Sequence, residues 1–135
     1  MSFEIAVQTA VFTKLNGDAP LKAAITGVFD DVKQGTEYPY VVIGEDNHAN
    51  VDTDDVLGNQ VAIVIHTWAR ANDKSGRKET KIIQGLIYDA LHRATLTYAG
   101  FNFISITQVN SESFLDADGH TRHGVQTFNL LIDKG

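Results

Sequence analysis

Residues 38–44 read Tyr38-Pro39-Tyr40-Val41-Val42-Ile43-Gly44, and the rest of the predicted sheet is built beside this segment. Its aromatic and β-branched side chains favour a strand, because they pack well on a pleated, half-buried surface. Pro39 has no backbone N–H to donate to a neighbouring strand, so we expect it at the first residue of the strand or on a sheet edge. Gly44 marks the point at which the strand bends or ends.

Hydrophobic periodicity on both sides of this segment predicts the remaining elements. Apolar residues at helical spacing predict one helix over 3–15 and a second over 77–93. Asp18, followed by Pro20, predicts the start of a short helix. Strands are predicted over 28–32, 38–45, 61–70, 101–109 and 124–132, with a loop at 71–76.

Residues 61–70 form the clearest of these strands. Apolar residues occupy both of its alternating faces, which indicates a strand covered on both sides for part of its length. His66 and Trp68 share one face and could line a pocket; a half-buried Trp68 packed under a helix is the simpler interpretation.

The order of elements predicts a single domain of the α+β class over residues 1–135. It indicates a mostly antiparallel sheet of four to five strands, with two long helices packed on one face. The last two strands flank Asp116-Ala117-Asp118-Gly119, a turn signal that predicts a hairpin. Residues 46–59 are polar, so they predict a long loop or, if the flanking strands continue into it, a hairpin arm.

The formal net charge is −6, and the whole acidic excess falls in one segment. Between Gln34 and Ala69 there are six acidic residues and no Lys or Arg, whereas the other 11 acids balance the 11 cations elsewhere. Such a segment repels phosphate, which argues against tight wrapping of nucleic acid and is compatible with a basic partner. No apolar run approaches the ~20 residues of a membrane span, and the absence of cysteine excludes disulfides and thiolate metal sites.

Two oppositely charged groups of residues are the candidate interaction sites. The acidic group lies in the base-free segment, and the basic group lies where strand 61–70 ends and helix 77–93 begins. In an oligomer the two groups would be natural partners across neighbouring subunits. The acidic candidates are Glu45, Asp46, Asp52, Asp54 and Asp55, and the basic candidates are Arg70, Arg77, Lys78 and Lys81.

A metal site is conceivable near the last turn. Asp116, Asp118, His120 and His123 lie close in sequence and offer oxygen and nitrogen ligands, which would suit a small metal-dependent hydrolase. A solvated turn, in which Asp side chains accept from backbone amides, is the simpler interpretation. We therefore predict no catalytic residue, no bound metal and no cofactor.

Four groups of residues, taken in order, resemble one protein family. These groups are the segment 38–45, the run His66-Thr67-Trp68-Ala69-Arg70, the helix entry at 76–79, and the turn 116–119 continuing to His123-Gly124-Val125. Together with the opening helix and Ala19-Pro20-Leu21, they resemble the tail completion, or tail terminator, proteins of tailed bacteriophages, prophages and gene transfer agents.

The resemblance implies a structural virion protein with no catalysis and no cofactor. It implies an α+β subunit, assembled in the host cytoplasm, that forms a hexameric ring at the head-proximal end of the tail tube. Such a ring stops tube polymerisation and joins the tail to the head. The implied partners are further copies of the chain, the tail tube protein and head–tail connector proteins, with DNA passing through the ring without specific binding and no membrane involved.

Two further expectations concern how such a ring would work. An acidic, base-free segment that faces the lumen would keep DNA mobile by charge repulsion. A strand bordered by Pro39, beside a long polar arm, could leave a sheet edge for a neighbouring subunit to extend. The alternative among virion proteins is a ring-forming neck adaptor on the head side.

Overall fold

The computed structural model describes residues 2–70 and 76–134, and within them the fold is α+β, with three helices and a five-stranded, mostly antiparallel sheet. The predicted loop at 71–76 falls largely on residues 71–75, which lie outside the described residues. The helices are α1 (Phe3–Asn16), α2 (Ala19–Ala24) and α3 (Gly76–Leu91), and the strands are β1 (Val28–Phe29), β2 (Tyr40–Asn50), β3 (Leu57–Arg70), β4 (Asn102–Leu115) and β5 (Thr121–Lys134).

The sheet has the strand order β1-β2-β3-β5-β4. The two-residue strand β1 runs parallel to β2, and the pairs β2–β3, β3–β5 and β4–β5 are antiparallel. The predicted hairpin between the last two strands is confirmed. Pro39 lies just before β2, after a cis Tyr38–Pro39 peptide bond, which agrees with its expected position at the border of the strand.

Side chains at the first turn fix where α1 and α2 begin. Ser2 Oγ accepts a hydrogen bond from the Ile5 N–H at 3.2 Å, and Asp18 Oδ2 accepts one from the Leu21 N–H at 3.1 Å. Each bond satisfies a backbone amide that has no partner within the helix. Both helix starts therefore follow from the local sequence.

One face of the sheet and the apolar sides of the helices form a single hydrophobic cluster. Val7 of α1, Ile87 of α3 and Ile63 of β3 are buried almost completely in it. Along β3 every second residue from 61 to 69 is buried, as the alternation of a strand requires. Full burial of one such apolar side chain contributes about 1.5–3 kcal/mol, so this cluster holds the helices and the sheet together.

The prediction misplaced part of α3. The helix ends at Leu91 and not at Arg93, because Arg93 adopts a left-handed conformation with φ of 59° and donates its N–H to the Ile106 carbonyl at 2.8 Å. That bond to β4 diverts the chain out of the helix. Ile82 belongs to the apolar residues at helical spacing that predicted this helix and its buried side, but it is 53% exposed.

The second face of β3 is not covered as the sequence suggested. Trp68 lies between the buried residues Thr67 and Ala69, so it points away from the hydrophobic cluster. Instead of packing under a helix, Trp68 stacks on His123 of β5, with 3.7 Å between the ring centroids. The apolar residues on this face of β3 are half-exposed. We call it the open face of the sheet.

No helix within residues 2–70 and 76–134 is long and apolar enough to cross a bilayer.

Candidate interaction surfaces

Residues 46–59 form a hairpin arm. β2 continues into it as far as Asn50, β3 begins at Leu57, and the turn is closed where the Thr53 N–H donates to the Val56 carbonyl at 2.8 Å. At the base of the arm the register shifts, so that Gly44 and Glu45 of β2 face one residue of β3. Such a β-bulge re-aims the strand beyond it.

A chain of polar contacts ties the two strands of the arm together. His48 lies 2.7 Å from the Asp46 carboxylate through Nε2 and 2.6 Å from Asn59 Oδ1 through Nδ1. Asn59, which is only 3% exposed, donates from Nδ2 to Asn50 Oδ1 at 3.2 Å. Asp46 is therefore part of the internal bonding of the arm.

The acidic candidates of the arm separate into engaged and free carboxylates. Asp52 Oδ1 accepts the Gly58 N–H at 3.0 Å and so stabilises the turn. Asp54 and Asp55 are exposed at the end of the arm, and neither makes a hydrogen bond or an ion pair to another described residue. We call the segment 51–57 the acidic tip; the apolar residues at its two ends, Val51 and Leu57, are 41% and 53% exposed.

Glu45 contributes to a different site, on the open face. Its Oε1 lies 2.6 Å from His66 Nε2, and His66 Nδ1 lies 2.7 Å from His123 Nε2. Trp68 and Phe114 pack against the His123 ring. Two consequences follow for protonation: the hydrogen bond from His66 lowers the pKa of Glu45, and burial, helped by the neighbouring His66, lowers the pKa of His123.

Sequence reasoning singled out Glu45, His66 and Trp68, but it did not bring them together. The contact of His66 with His123 joins positions 57 residues apart and depends on the pairing of β3 with β5. No local spacing encodes that register. In the sequence, this site was indicated only by polar and aromatic side chains at alternate positions of two predicted strands.

The basic candidates also separate. Arg70 ends β3 and lies over the Tyr38 ring, 4.6 Å from its centroid. Arg70 follows the buried Ala69 and so lies on the open face. Arg77 and Lys78, in contrast, are on the first turn of α3, which packs on the other face. The structure therefore does not bring Arg70 into one group with the cations of α3.

A cavity of about 430 Å³ lies between the start of α3 and the ends of β4 and β5. We call it the basic notch, because three cations line it: Arg77, Lys81 and Arg122. Arg122 was missed by the sequence analysis. Arg122 is recognised by its position, because it is a charged residue directly opposite the buried Ala69 in the β3–β5 pairing. The rest of the lining is Thr80, Ser113, Phe114 and Leu115.

Two of the conceivable metal ligands near the last turn, Asp118 and His123, have other roles. Asp118 accepts from the N–H groups of His120 and Thr121, each at 2.8 Å, and from the Thr121 hydroxyl at 2.6 Å. These bonds lower the pKa of Asp118 to about 2. His123 contacts His66 on the open face. Among the described residues, no three His, Asp or Glu side chains are grouped so that they could hold a metal ion.

A model of one protein family, described as tail completion protein gp17, matches residues 9–133. The chain belongs to this family. The tail completion protein gp17 of Bacillus phage SPP1 is 28% identical to it over 129 residues, which cover 96% of this chain and 93% of the phage protein. The resemblance deduced from the sequence motifs is therefore confirmed.

Two solved structures share the fold. A chain in the virion of a native gene transfer agent particle superposes with a TM-score of 0.87 at 24% identity and covers 98% of this chain and 99% of its own length. The structure of bacteriophage SPP1 gp17 gives a TM-score of 0.65 at 27% identity, covering 93% of this chain and 88% of its own. Family membership makes the chain a structural component of the phage tail and not an enzyme, so the hydrolase alternative is wrong.

Proposed function

We propose that the chain is a tail terminator: copies of it, six in number, form a ring on the head-proximal end of the tail tube. The ring ends polymerisation of the tube and provides the surface that joins the tail to the connector proteins of the head. The observation that carries this proposal is the hairpin arm, whose tip has exposed side chains on both faces. A projection that its own chain leaves uncovered is suited to contacts with other chains.

Unpaired strand edges offer a second means of joining copies. β1 pairs only with Val41 and Val42, so the outer edge of β2 beyond Val42 has no partner strand within the described residues. At the other edge, β4 exposes Ile104 and Val109. Native mass spectrometry over a range of concentrations tests for assembly in solution, and mixing with tail tubes tests for assembly on a template. We expect oligomers in solution or rings on the tubes. A chain that stays monomeric in solution and with tubes contradicts the proposed assembly.

The charge distribution supports passage of DNA through the ring without binding. The carboxylates of the base-free segment between Gln34 and Ala69 repel phosphate over about 10 Å at moderate salt. We expect the double substitution Asp54→Asn and Asp55→Asn to impair ring assembly or DNA delivery, measured as infectivity of particles that carry it. Normal tails together with normal infectivity would show that Asp54 and Asp55 are needed for neither assembly nor DNA delivery.

The experiment that tests the proposed function is a choice between two docking targets. The purified protein is mixed separately with bare tail tubes and with DNA-filled heads, and both samples are imaged by electron microscopy. The proposal predicts a cap on one end of each tube and no decoration of the heads. Decorated heads and bare tubes would instead identify a neck adaptor.

A further inference from the structure

The basic notch contains three cationic side chains. Among the described residues, Arg77, Lys81 and Arg122 form no ion pair with a carboxylate. The Nε atom of Arg122 is buried and has no hydrogen-bond partner within the same residues. Leaving a buried polar group unsatisfied costs free energy, so a ligand that brings an acceptor into the notch is favoured.

The acidic tip has the complementary composition. It carries the two free carboxylates of Asp54 and Asp55, flanked by the exposed side chains of Val51 and Leu57. The notch offers its cations beside Leu115, which pairs with Arg122 and is 43% exposed. Both surfaces therefore pair charge with apolar area, and their charges are opposite.

A tip cannot reach the notch of its own chain. β3 runs from the tip at Leu57 to the notch at Ala69, which pairs with Arg122. Twelve residue steps of about 3.3 Å separate these positions by on the order of 40 Å. A tip that occupies the notch must therefore come from a second copy, and the tip has the chemistry that matches the notch.

We propose that the acidic tip of one copy docks in the basic notch of the next, with Asp54 and Asp55 accepting hydrogen bonds from Arg122 and Arg77. Carboxylate–guanidinium pairs are strong and directional, because two N–H groups can serve one carboxylate. The contact is head-to-tail: each copy donates one tip and offers one notch. Such contacts close into a ring when the rotation between copies permits. This inference rests on the proposed assembly into a ring and names the contact that builds it.

A charge-swapped pair of variants tests the contact. Variant one carries Asp54→Lys and Asp55→Lys, and variant two carries Arg77→Glu and Arg122→Glu. Each alone places like charges in contact, so we expect association at least tenfold weaker than in the unmodified protein. In an equimolar mixture, the Lys tip of variant one meets the Glu notch of variant two, and the Asp tip of variant two meets the Arg notch of variant one. Both contacts join opposite charges when the variants alternate, so association should return to within about threefold of the unmodified level.

Two controls keep the swap interpretable. Asp31→Lys with Asp89→Lys makes the same change in net charge at exposed acids outside the tip, and association should then stay within threefold. Where Arg122→Glu prevents folding, judged by circular dichroism, Arg77→Glu with Lys81→Glu replaces it, since both side chains are exposed. A mixture that associates no better than either variant alone overturns the proposal.

Carbodiimide cross-linking gives an independent test. Isotope-labelled and unlabelled copies are mixed, assembled in solution or on tail tubes, and treated with this zero-length reagent. The proposal predicts labelled–unlabelled peptide pairs that join Asp54 or Asp55 to Lys81.

Three results, two from the cross-linking and one from a DNA-binding assay, would contradict the contact. Capped tubes without these cross-links overturn the tip–notch contact and leave the proposed function standing. Failure to assemble in solution and on tubes overturns both. DNA binding that is lost with Arg122→Gln would show that the notch takes phosphate and would also overturn the contact.

Discussion

At the scale of single residues, the contacts on the open face constrain where protons sit. A neutral His66 that donates its Nε2–H to Glu45 must accept at Nδ1, so His123 donates from Nε2. The ring of His123 is also packed between Trp68 and Phe114. Burial makes the charged form of His123 unfavourable, which is why its pKa is lowered in the folded protein.

This lowered pKa predicts a pH dependence of stability. Between the folded pKa of His123 and its unfolded value of about 6.5, the unfolded chain binds more protons than the folded one. The free energy of unfolding should therefore fall as the pH falls through that window, and change no further on this account below it. Urea unfolding at closely spaced pH values checks this, with His123→Gln as the comparison; equal slopes in the two proteins would contradict it.

Gly44 predicts a steric effect at the same site. A Cβ at this position would lie 2.5 Å from His66 Cδ2 and 3.2 Å from the Val64 carbonyl oxygen. Because Glu45 and His123 hold the His66 ring, we expect Gly44→Ala to lower the free energy of unfolding by about 1–3 kcal/mol and to shift the NMR signals of His66.

The matched control for that substitution is Gly85→Ala in α3. Within the described part of the chain, no atom beyond the adjoining helix backbone lies within 4 Å of a Cβ at Gly85. Alanine is the better helix former by about 1 kcal/mol. The control should therefore be stabilised. If Gly44→Ala were as stable as the control, the close packing at the base of the arm would be disproved.

At the scale of elements, periodicity sufficed to predict the helices and the central strands. Periodicity could not predict where an element ends when contacts with residues distant in sequence determine that end. The end of α3 depends on the bond from Arg93 to Ile106, and β4 extends to Leu115 because β5 pairs with it along its whole length. Polar residues at 107–113 give β4 little local strand character, so only the pairing shows it.

The arm supplies the prediction at this scale. Residues 52–57 can be replaced by Asn-Gly, a sequence suited to a two-residue hairpin turn, between the paired Val51 and Gly58. The removed side chains are mostly exposed, so we expect the free energy of unfolding to change by less than about 1 kcal/mol. Capping of tail tubes, scored by electron microscopy, should be lost.

A variant that keeps the length of the arm separates the effect of its charge from the effect of its length. Asp54→Asn with Asp55→Asn keeps the hairpin and removes the charge, so tube capping should be weakened less than by the shortened arm. A shortened chain that caps tubes as well as the full-length chain would show that the arm has no part in assembly.

At the scale of the whole molecule, the acidic tip and the basic notch lie at opposite ends of β3. The sequence identified both charged groups and suggested that they meet between subunits. It could not show that Arg122 joins the basic group, that Arg70 leaves it, or that Glu45, Asp46 and Asp52 are engaged elsewhere. Those assignments depend on strand register and on which face each side chain takes.

The most direct measurement of the central claim is a cryo-electron microscopy reconstruction of intact particles that carry this chain, centred on the junction of head and tail. The account predicts one closed ring of six copies on the head-proximal end of the tube, with each arm contacting the next copy. A reconstruction in which the chain is absent from that junction would contradict it.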